Sequence, residues 1–524
     1  MATVGETLIS LLEAHGVDMV FGIPGVHTIE LYRGLARSRI RHVTPRHEQG
    51  AGFMADGYAR ISGRPGVAFV ITGPGLTNTI TAMAQARADS VPMLVISGVN
   101  ALPALGKGLG FLHELPDQRG MMEKVALFSH RVEDPAELPD VLHRAFTLFA
   151  TARPGPVHVE IPLDVMGRHC PPLTARPIDD AAPAPDEALL DEVVKQAGKA
   201  SHPLILAGGG ARRSNAELLR VAEKLDAPVV TTANARGLLH DHPLAVHASP
   251  SLFAVRELMG GADFVLAAGT EFGPTDYDMY ANGGFVLPEN LARIDIDASQ
   301  LDRRPSALSI RADCAVALDM LAGKLPPSTH RDGAARAAAA RAAAFAEIGE
   351  EMRGQVVAVE MIRNTLPEAV IVGDSTQPVY AANLYYDHDR PGGWFNAATG
   401  YGALGFGPPA AIGAALADPQ ATVVCLSGDG GFQFTLPELG AALDAGARVI
   451  FVVWNNHGYR EIETSMREAG VEPVGVSPAP PDFIGIAAAY RMPAERLTKL
   501  DGFPAALRHA HSTGKAALIE ILVS

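Results

Sequence analysis

The sequence predicts an α/β protein built on parallel sheets, and three observations lead to that class. Residues 423–427 and 448–454 are short apolar runs typical of buried strands, with a helical pattern between them. A right-handed βαβ crossover makes two such strands parallel. Residues 67–71 and 93–96 repeat the buried-strand pattern after proline-marked turns. A length of 524 residues suits about three domains, so we predict three doubly wound parallel-sheet domains.

Composition limits the class of partner. The chain is 48% hydrophobic and 19% charged, as expected of a large globular enzyme with a substantial core. Its net charge of −15 argues against nucleic acid and against anionic membranes. The N-terminus lacks the basic segment of a signal peptide, and no apolar run approaches the ~18 residues of a membrane span. We therefore expect a cytoplasmic protein whose partner is a small molecule.

The three cysteines are scattered along the chain as Cys170, Cys314 and Cys425, and none forms a CxxC pair. This usage is typical of a reducing compartment. It predicts neither a structural zinc site nor a disulfide framework.

The domain boundaries follow changes in composition. Residues 1–170 alternate helical and strand patterns and form the predicted N-terminal domain. Residues 171–187 are rich in Pro, Ala and Asp and are interpreted as a linker to a central domain over 188–325. An alanine-rich helix over 332–352 then leads to a C-terminal domain over 353–524.

The central domain carries a glycine turn after its first predicted strand. Residues 204–207 run into Gly208, Gly209 and Gly210, but position 213 is Arg where a dinucleotide fingerprint needs a glycine. A plain turn and helix start is therefore favoured over a nucleotide site.

Two polar residues follow the strands of the C-terminal βαβ unit. Asp429 comes after the first strand and Asn456 after the second, so both lie at the carboxyl edge where open α/β sheets bind ligands. A carboxylate and an amide oxygen suit Mg²⁺ or Ca²⁺ and do not suit zinc. Glycines 428, 430 and 431 would let backbone N–H groups approach a phosphate. Together these residues favour a metal–diphosphate site over an ordinary turn.

The helix between these strands has its own end signals. Thr435 and Glu438 fit a capping box at its start, and Gly446 fits a C-cap at its end.

A family resemblance rests on these motifs and on others in order along the chain. GDG at 428–430, followed by 24 residues and then NN, resembles the diphosphate–metal motif of thiamine diphosphate (ThDP) enzymes. Within that superfamily the chain is similar to the acetolactate synthase and 2-oxo acid decarboxylase group. The further segments are FGIPG at 21–25, RHEQGAGFMADGYAR at 46–60, TGPG at 72–75, RPGPVHVEIPLDV at 153–165 and GALGFGPPAAIGAAL at 402–416.

The resemblance implies an N-terminal pyrimidine-binding domain and a C-terminal diphosphate-binding domain that share one fold. In the family different subunits contribute these domains to one site, so a homo-oligomer is implied, at least a dimer, with a homotetramer expected. The central domain is similar to the one that carries FAD in acetolactate synthases. Its GMHG-like segment is replaced after His247, and EFGPT replaces RFDDR at 271–275. We therefore expect no FAD.

The resemblance also assigns cofactor-binding residues. Glu48 matches the catalytic acid/base that bonds the pyrimidine N1′ of ThDP. Leu404 matches the apolar wedge that holds the two cofactor rings in a V-shape, and Gly402 matches the backbone acceptor for the 4′-amino group. Gln377 matches a diphosphate contact, and Gly458 would supply a backbone carbonyl to Mg²⁺ beside Asp429 and Asn456.

The substrate side is less constrained by the motifs. His27 and His113 fall on segments that line family active sites, and each could be catalytic or structural. Glu461 and Glu463 follow the NN motif on a predicted helix. They are either a solvated, ion-paired face or partners for a cationic substrate, since a guanidinium pairs with a carboxylate bidentately.

These segments most resemble bacterial 5-guanidino-2-oxopentanoate decarboxylases of arginine transamination pathways. The expected reaction is therefore ThDP- and Mg²⁺-dependent non-oxidative decarboxylation of a 2-oxo acid to CO₂ and an aldehyde. The alternative enzyme is a carboligase of acetolactate synthase type. A catalytically silent ThDP-fold protein and a nucleotide-binding structural protein are further alternatives. The retained Glu48, Asp429 and Asn456 argue against the silent protein.

Overall fold

The computed structural model describes residues 2–279, 283–327 and 332–523. Three six-stranded sheets run through these residues, and the strand pairings within them are parallel. The predicted α/β class with three parallel sheets is confirmed. Residues 280–282 of the predicted central domain and residue 524 lie outside the described part.

The first sheet has the strand order β2-β1-β3-β4-β6-β5. Its strands are β1 (Met19–Gly22), β2 (Arg41–Val43), β3 (Gly66–Val70), β4 (Met93–Val99), β5 (Ser129–Arg131) and β6 (Pro156–Pro162). The α-helices of this segment are α1 (Val4–Ala14), α2 (Ile29–Leu35), α3 (Glu48–Ser62), α4 (Pro74–Thr77), α5 (Ile80–Ala88), α6 (Gln118–Met122), α7 (Leu138–Thr151) and α8 (Leu163–Met166).

The second sheet has the order β12-β11-β10-β7-β8-β9. Its strands are β7 (Pro203–Ala207), β8 (Val229–Thr231), β9 (Ala245–Val246), β10 (Phe264–Ala268), β11 (Leu291–Asp295) and β12 (Leu308–Arg311). The helices are α9 (Glu187–Ala197), α10 (Asn215–Leu225), α11 (Phe253–Gly260), α12 (Pro274–Tyr277), α13 (Ala298–Arg303) and α14 (Cys314–Lys324).

The third sheet has the order β14-β13-β15-β16-β18-β17. Its strands are β13 (Val370–Gly373), β14 (Trp394–Asn396), β15 (Val423–Gly428), β16 (Val449–Asn455), β17 (Ala494–Leu497) and β18 (Ala517–Leu522). The preceding helices are α15 (Gly333–Glu347) and α16 (Gly349–Thr365). The remaining helices are α17 (Gln377–Leu384), α18 (Gly407–Ala417), α19 (Asp429–Phe432), α20 (Glu438–Ala445), α21 (Arg460–Glu468), α22 (Phe483–Ala489) and α23 (Phe503–Ser512).

The first and third sheets are built on one plan. Counted from the first strand of each sheet, both have the order 2-1-3-4-6-5. TGPG at 72–75 follows the third strand of the first sheet, and Gly428–Gly431 follows the third strand of the last. The two glycine turns therefore occupy equivalent places in the two sheets.

The chain forms two compact units. One contains residues 1–180, 400–499 and 509–524, and the other contains 181–399 and 500–508. Within the first unit, α3 packs closely on α18. A methyl group added at Gly57 would lie only 1.9 Å from the Ala410 carbonyl oxygen. This packing fixes α3, whose first residue is Glu48.

The second unit contains the glycine turn that follows β7. A Cβ atom added at Gly208 would lie 2.3 Å from the Gly269 carbonyl oxygen, so the turn is packed against the end of β10. That close approach explains why small residues stand here. Whether the central domain binds a nucleotide, and the expectation of no FAD, stay predictions.

Two sequence expectations about connections have different outcomes. Residues 171–186 contain no helix or strand, as expected of a linker, and α9 begins at Glu187, so the domain boundaries stay predictions. The single helix expected over 332–352 is wrong. The chain forms α15 and α16 instead, which are separated at Gly349 with φ +78°. A left-handed glycine ends a helix readily, so the alanine-rich composition did not carry the helix across that position.

Within the described ranges, every helix falls short of the length and apolar character that crossing a membrane requires. All three cysteines are buried and unbonded to one another.

Candidate active site

The candidate metal–diphosphate site lies at the carboxyl ends of β15 and β16. These strands are parallel neighbours, with Gly428 opposite Trp454. Asp429 is the first residue after β15, and Asn456 is the first residue after β16. The structure therefore brings the two predicted metal ligands to adjacent strand ends. Asp429 itself begins the short helix α19.

Asp429 is a buried carboxylate held by backbone donors. It is 1% exposed, and the backbone N–H groups of Asn456 and Gly458 hydrogen bond to it. Burial raises the pKa of Asp429, while these hydrogen bonds and the charge of His457 act in the opposite direction. A hard cation next to the carboxylate would offset the cost of burying it. The donor set therefore fits Mg²⁺ better than it fits a soft metal.

Small residues shape the same site. A Cβ atom added at Gly430 would lie 2.4 Å from Cε1 of the Tyr459 ring, so the turn approaches that ring closely. Gly458 has φ +136°, and a Cβ atom there would lie 2.4 Å from the Val476 carbonyl oxygen. Only glycine fits this combination of backbone angle and space. Close approach to neighbouring groups therefore requires glycine at both positions.

Glu48 begins α3, and His47 caps that helix by accepting a hydrogen bond from the Gln49 N–H. The Glu48 Oε2 atom accepts a hydrogen bond from Asn78 Nδ2 at 3.0 Å. A Cβ atom added at Gly75 would lie 3.7 Å from Glu48 Oε1. The half-buried Glu48 carboxylate is therefore oriented by the TGPG turn and by Asn78. The sequence analysis did not identify Asn78.

Glu438 is a second residue that was missed, and the capping box proposed for it is wrong. Helix α20 begins at Glu438 without a side-chain cap. Thr435 Oγ1 donates to the Gly405 carbonyl at 2.8 Å instead. The Glu438 carboxylate accepts hydrogen bonds from the backbone N–H groups of Arg46 and His47, each at 3.0 Å.

These contacts attach α20 to the residues immediately before Glu48. Burial raises the pKa of Glu438 to about 7, against the opposing effect of the Arg46 and His47 hydrogen bonds. No local pattern reveals such a contact, because the hydrogen-bonded residues are 391 and 392 positions apart. Gly446, in contrast, has φ +65° and ends α20 as predicted.

His27 and His113 lie side by side. Their ring centroids are 5.2 Å apart, and the rings are tilted by 36°. Burial lowers the pKa of His27, the nearby His113 lowers it further, and a hydrogen bond with the Asn100 side chain opposes both effects. His113 has φ +60°, a conformation that costs energy in a non-glycine residue. The structure thus pairs the two histidines that the sequence placed on separate segments.

The TGPG turn links this pair to Glu48. A Cβ atom added at Gly73 would lie 2.6 Å from the His113 carbonyl oxygen, two residues before the glycine that approaches Glu48. Glu48, the turn and both histidines therefore form one group of neighbouring segments.

The remaining cofactor candidates are in different places. Gly402 has φ +77° and Leu404 is half-buried, just before α18 in the first unit. The partial exposure of Leu404 argues against an ordinary core leucine. Gln377 is the first residue of α17 and belongs to the second unit.

Two carboxylates of helix α21, Glu461 and Glu463, differ in their surroundings. Both lie in its first turn, as predicted. Glu463 is ion-paired, with Arg467 at 2.7 Å and Arg460 at 2.5 Å. Glu461 is half-buried. The solvated, ion-paired interpretation thus applies to Glu463.

Among the described residues, one histidine–carboxylate cluster has ligand atoms close enough for a metal ion, and it lies in the second unit. His240 Nδ1 is 2.9 Å from Asp387, and His240 Nε2 is 3.3 Å from the largely exposed Asp241. Each ring nitrogen faces a carboxylate, which is the arrangement of an ion-paired imidazole. The cluster therefore does not compete with Asp429 as the metal site.

Comparison with protein families agrees with this geometry. Residues 2–121 match the N-terminal thiamine pyrophosphate binding domain of thiamine pyrophosphate enzymes, and residues 374–521 match the C-terminal one. Residues 190–321 match the central domain of the same enzymes. The chain belongs to the thiamine pyrophosphate enzyme family.

Individual members of this family resemble the chain over nearly its full length. It is 42% identical to a probable 2-ketoarginine decarboxylase of Pseudomonas aeruginosa, over 99% of this chain and 94% of the relative. It is 32% identical to the chloroplastic acetolactate synthase 1 of Zea mays, over 99% of this chain and 85% of the relative. It is 31% identical to the large subunit of acetolactate synthase isozyme 1 of Escherichia coli, over 93% and 88%.

Proposed function

We propose that this thiamine pyrophosphate enzyme decarboxylates a 2-oxo acid non-oxidatively, with Mg²⁺ as the metal, and releases CO₂ and an aldehyde. The observation that carries the proposal is the placement of Asp429 and Asn456 at adjacent strand ends beside a glycine cradle. The similarity to a probable 2-ketoarginine decarboxylase supports decarboxylation as the reaction.

The metal and diphosphate would be held by the C-terminal domain. The Asp429 and Asn456 side chains and the Gly458 carbonyl would bind Mg²⁺, with phosphate oxygens and water completing its shell. The backbone of Gly428, Gly430 and Gly431 would approach the diphosphate. The assignment of Gln377 as a diphosphate contact stays a prediction from the family resemblance.

The rest of the cofactor would be positioned by Leu404 and Gly402. A half-buried leucine side chain can separate and support two aromatic rings, and the Gly402 carbonyl can accept a hydrogen bond from an amino group. The bound cofactor supplies the electron sink that loss of CO₂ requires.

Glu48 would hold and return a proton at the pyrimidine N1′ atom. Its carboxylate is partly exposed and is oriented by Asn78, so one oxygen is fixed while the group stays within reach of a ligand. General acid–base steps of this kind contribute about 10²–10⁴-fold to a rate.

The quaternary structure is proposed on the same family basis. Residues 1–170 would act as the pyrimidine-binding domain and residues 353–524 as the diphosphate-binding domain, with 188–325 between them. A site shared between subunits needs at least a dimer, and we expect a homotetramer. The isolated buried cysteines support a cytoplasmic location.

For the substrate we propose a 2-oxo acid with a cationic tail, 5-guanidino-2-oxopentanoate. Glu461 is the candidate partner of the guanidinium, because it is half-buried in the first turn of the helix that follows Asn456. A charge pair that is partly desolvated in a cleft is worth on the order of 2–5 kcal/mol when one side is truncated. An exposed pair contributes less than about 1 kcal/mol.

The test compares kcat/KM for the guanidino substrate with that for a neutral 2-oxo acid of the same shape. We expect the wild type to prefer the cation, Glu461→Gln to lose that preference, and the matched Glu463→Gln to keep it. Equal losses on both substrates in Glu461→Gln would show that Glu461 supports the helix and does not recognise the tail.

A carboligase reaction is the second candidate, because acetolactate synthases are 31–32% identical to this chain. Decarboxylation would then be followed by bond formation to a second carbonyl compound. Product analysis after incubation with a 2-oxo acid distinguishes the two reactions. A free aldehyde supports the decarboxylase, and a 2-hydroxy-2-methyl-3-oxo acid formed from pyruvate supports the carboligase.

A further inference from the structure

Gln118 lies at the centre of a buried polar network in the first sheet. It is the first residue of α6 and is 2% exposed. Its Oε1 atom accepts hydrogen bonds from Thr72 Oγ1 at 2.7 Å and from the Gly73 N–H at 3.1 Å. One end of the amide therefore fixes the first two residues of the TGPG turn.

The other end of the same amide reaches a different segment. Its Nε2 atom lies within donating distance of Ser97 Oγ at 3.2 Å, the Gly98 carbonyl at 3.2 Å and Glu160 Oε2 at 3.0 Å. Glu160 is itself paired with Arg131, whose Nε atom is 2.6 Å away. Gln118 thus connects the end of β4 and a buried ion pair to the turn.

Both glycines that the amide binds touch a histidine-bearing segment. A Cβ atom added at Gly73 would lie 2.8 Å from the His113 Cβ, and one added at Gly98 would lie 3.0 Å from the His27 Cβ. The backbone on each side of the amide is therefore in contact with one member of the histidine pair. Moving either segment would change the 5.2 Å separation of the two rings.

Only an amide suits this position. Its oxygen faces two donors and its nitrogen faces three acceptors, so it must both accept and donate. A carboxylate would place a second negative charge beside Glu160, and an apolar side chain would leave Thr72 and Gly73 with unmatched donors in a buried place. The cost of such unmatched groups would be relieved by movement of the turn.

We propose that Gln118 is a positioning residue that sets the geometry of the His27–His113 pair through Gly73 and Gly98. This inference rests on the proposed function and on the catalytic role that the family resemblance allows for His27 and His113. Gln118 touches neither substrate nor cofactor in this assignment.

The test is a double-mutant cycle with Gln118→Met and His113→Ala, measured as kcat and KM for the 2-oxo acid with saturating ThDP and Mg²⁺. We expect Gln118→Met to lower kcat at least tenfold with unchanged ThDP affinity, which calorimetry measures. The double variant should be no slower than His113→Ala alone, since residues acting through one another are not additive. Gln355→Met, another buried glutamine, should leave kcat within twofold.

A second variant protects the test against misfolding. Thr72→Val removes one donor to Gln118 and keeps the amide, so a smaller kcat loss in the same direction is expected. Fully additive effects of Gln118→Met and His113→Ala would overturn the proposal, as would wild-type kcat in both Gln118→Met and Thr72→Val.

A further measurement does not need turnover. Diethyl pyrocarbonate labelling of His113, followed by mass spectrometry, should change several-fold in Gln118→Met while labelling of the exposed His202 stays constant. Unchanged His113 labelling would refute the positioning role even in a protein without decarboxylase activity. An inactive wild type with altered His113 labelling would refute the proposed function alone.

Discussion

The carboxyl group of Glu438 should make stability depend on pH in a direction opposite to that of most acids. Burial raises its pKa from 4.5 to about 7 in the folded protein. The folded state therefore holds this proton more tightly than the unfolded state does. The stabilisation is fully present below about pH 4.5 and is lost as the pH rises through about 7. A difference of two to three pKa units corresponds to about 3 kcal/mol.

The perturbation is Glu438→Gln, which keeps the size of the side chain and cannot ionise. Wild type and variant are unfolded in urea at several values between pH 5 and pH 8, with one spectroscopic probe and matched buffers. The free energy of unfolding of the wild type, relative to the variant, should fall by roughly 2–3 kcal/mol across this range. The chain has several domains, so the transition that involves α20 must be identified first.

Glu463→Gln is the matched control, because Glu463 is ion-paired and hydrogen bonds from Arg467 and Arg460 lower its pKa. Its curve should not fall relative to wild type between pH 5 and pH 8. If the wild type and Glu438→Gln curves run parallel across the range, Glu438 is ionised throughout. Burial would then not dominate over the Arg46 and His47 hydrogen bonds.

Three further predictions concern the site and the packing beneath it. Asp429→Ala should abolish Mg²⁺-dependent ThDP binding in calorimetry, because it removes the ionic ligand, and unchanged affinity would contradict the metal assignment. Glu48→Gln should retain the fold and the cofactor but lose about 10²–10⁴-fold in kcat, and turnover within a few-fold of wild type would assign the proton transfer elsewhere. Gly57→Ala should lower stability by roughly 1–3 kcal/mol in thermal or urea unfolding, since its methyl group would overlap the Ala410 carbonyl. Gly354→Ala, on an open face of α16, should instead be neutral or stabilising by up to about 1 kcal/mol. Equal effects of the two substitutions would show that α3 and α18 can separate without cost.

The sequence was sufficient to predict the features that depend on neighbouring residues. Apolar runs located β15 and β16, and their order along the chain placed Asp429 and Asn456 at neighbouring strand ends. Gly446 ended its helix as a left-handed residue. These features depend on a few consecutive residues, so their pattern is visible without a structure.

The features that the sequence did not predict depend on contacts between distant segments, or on which of several possible hydrogen-bond partners a side chain takes. Glu438 had a suitable local partner at Thr435, yet its carboxylate bonds residues nearly four hundred positions away. Gln118 had no pattern around it that marked a buried amide, because its five hydrogen-bonding groups come from three separate segments. Hydrogen-bond networks of this kind are decided by packing, which periodicity does not encode.

His113 and His457 both have a left-handed backbone conformation, and His457 lies beside Asn456. These conformations affect which variants a selection for heat tolerance would favour. These residues have φ +60° and +62°, and such conformations cost of order 1–3 kcal/mol in non-glycine residues. Glycine or asparagine at either position would release that strain, so a library screened for thermal tolerance alone should enrich for their replacement. The surviving variants would unfold at a higher temperature and have lower catalytic activity. Selection for heat tolerance and selection for turnover would therefore favour different residues at these two positions. A screen for improved variants should score both properties together.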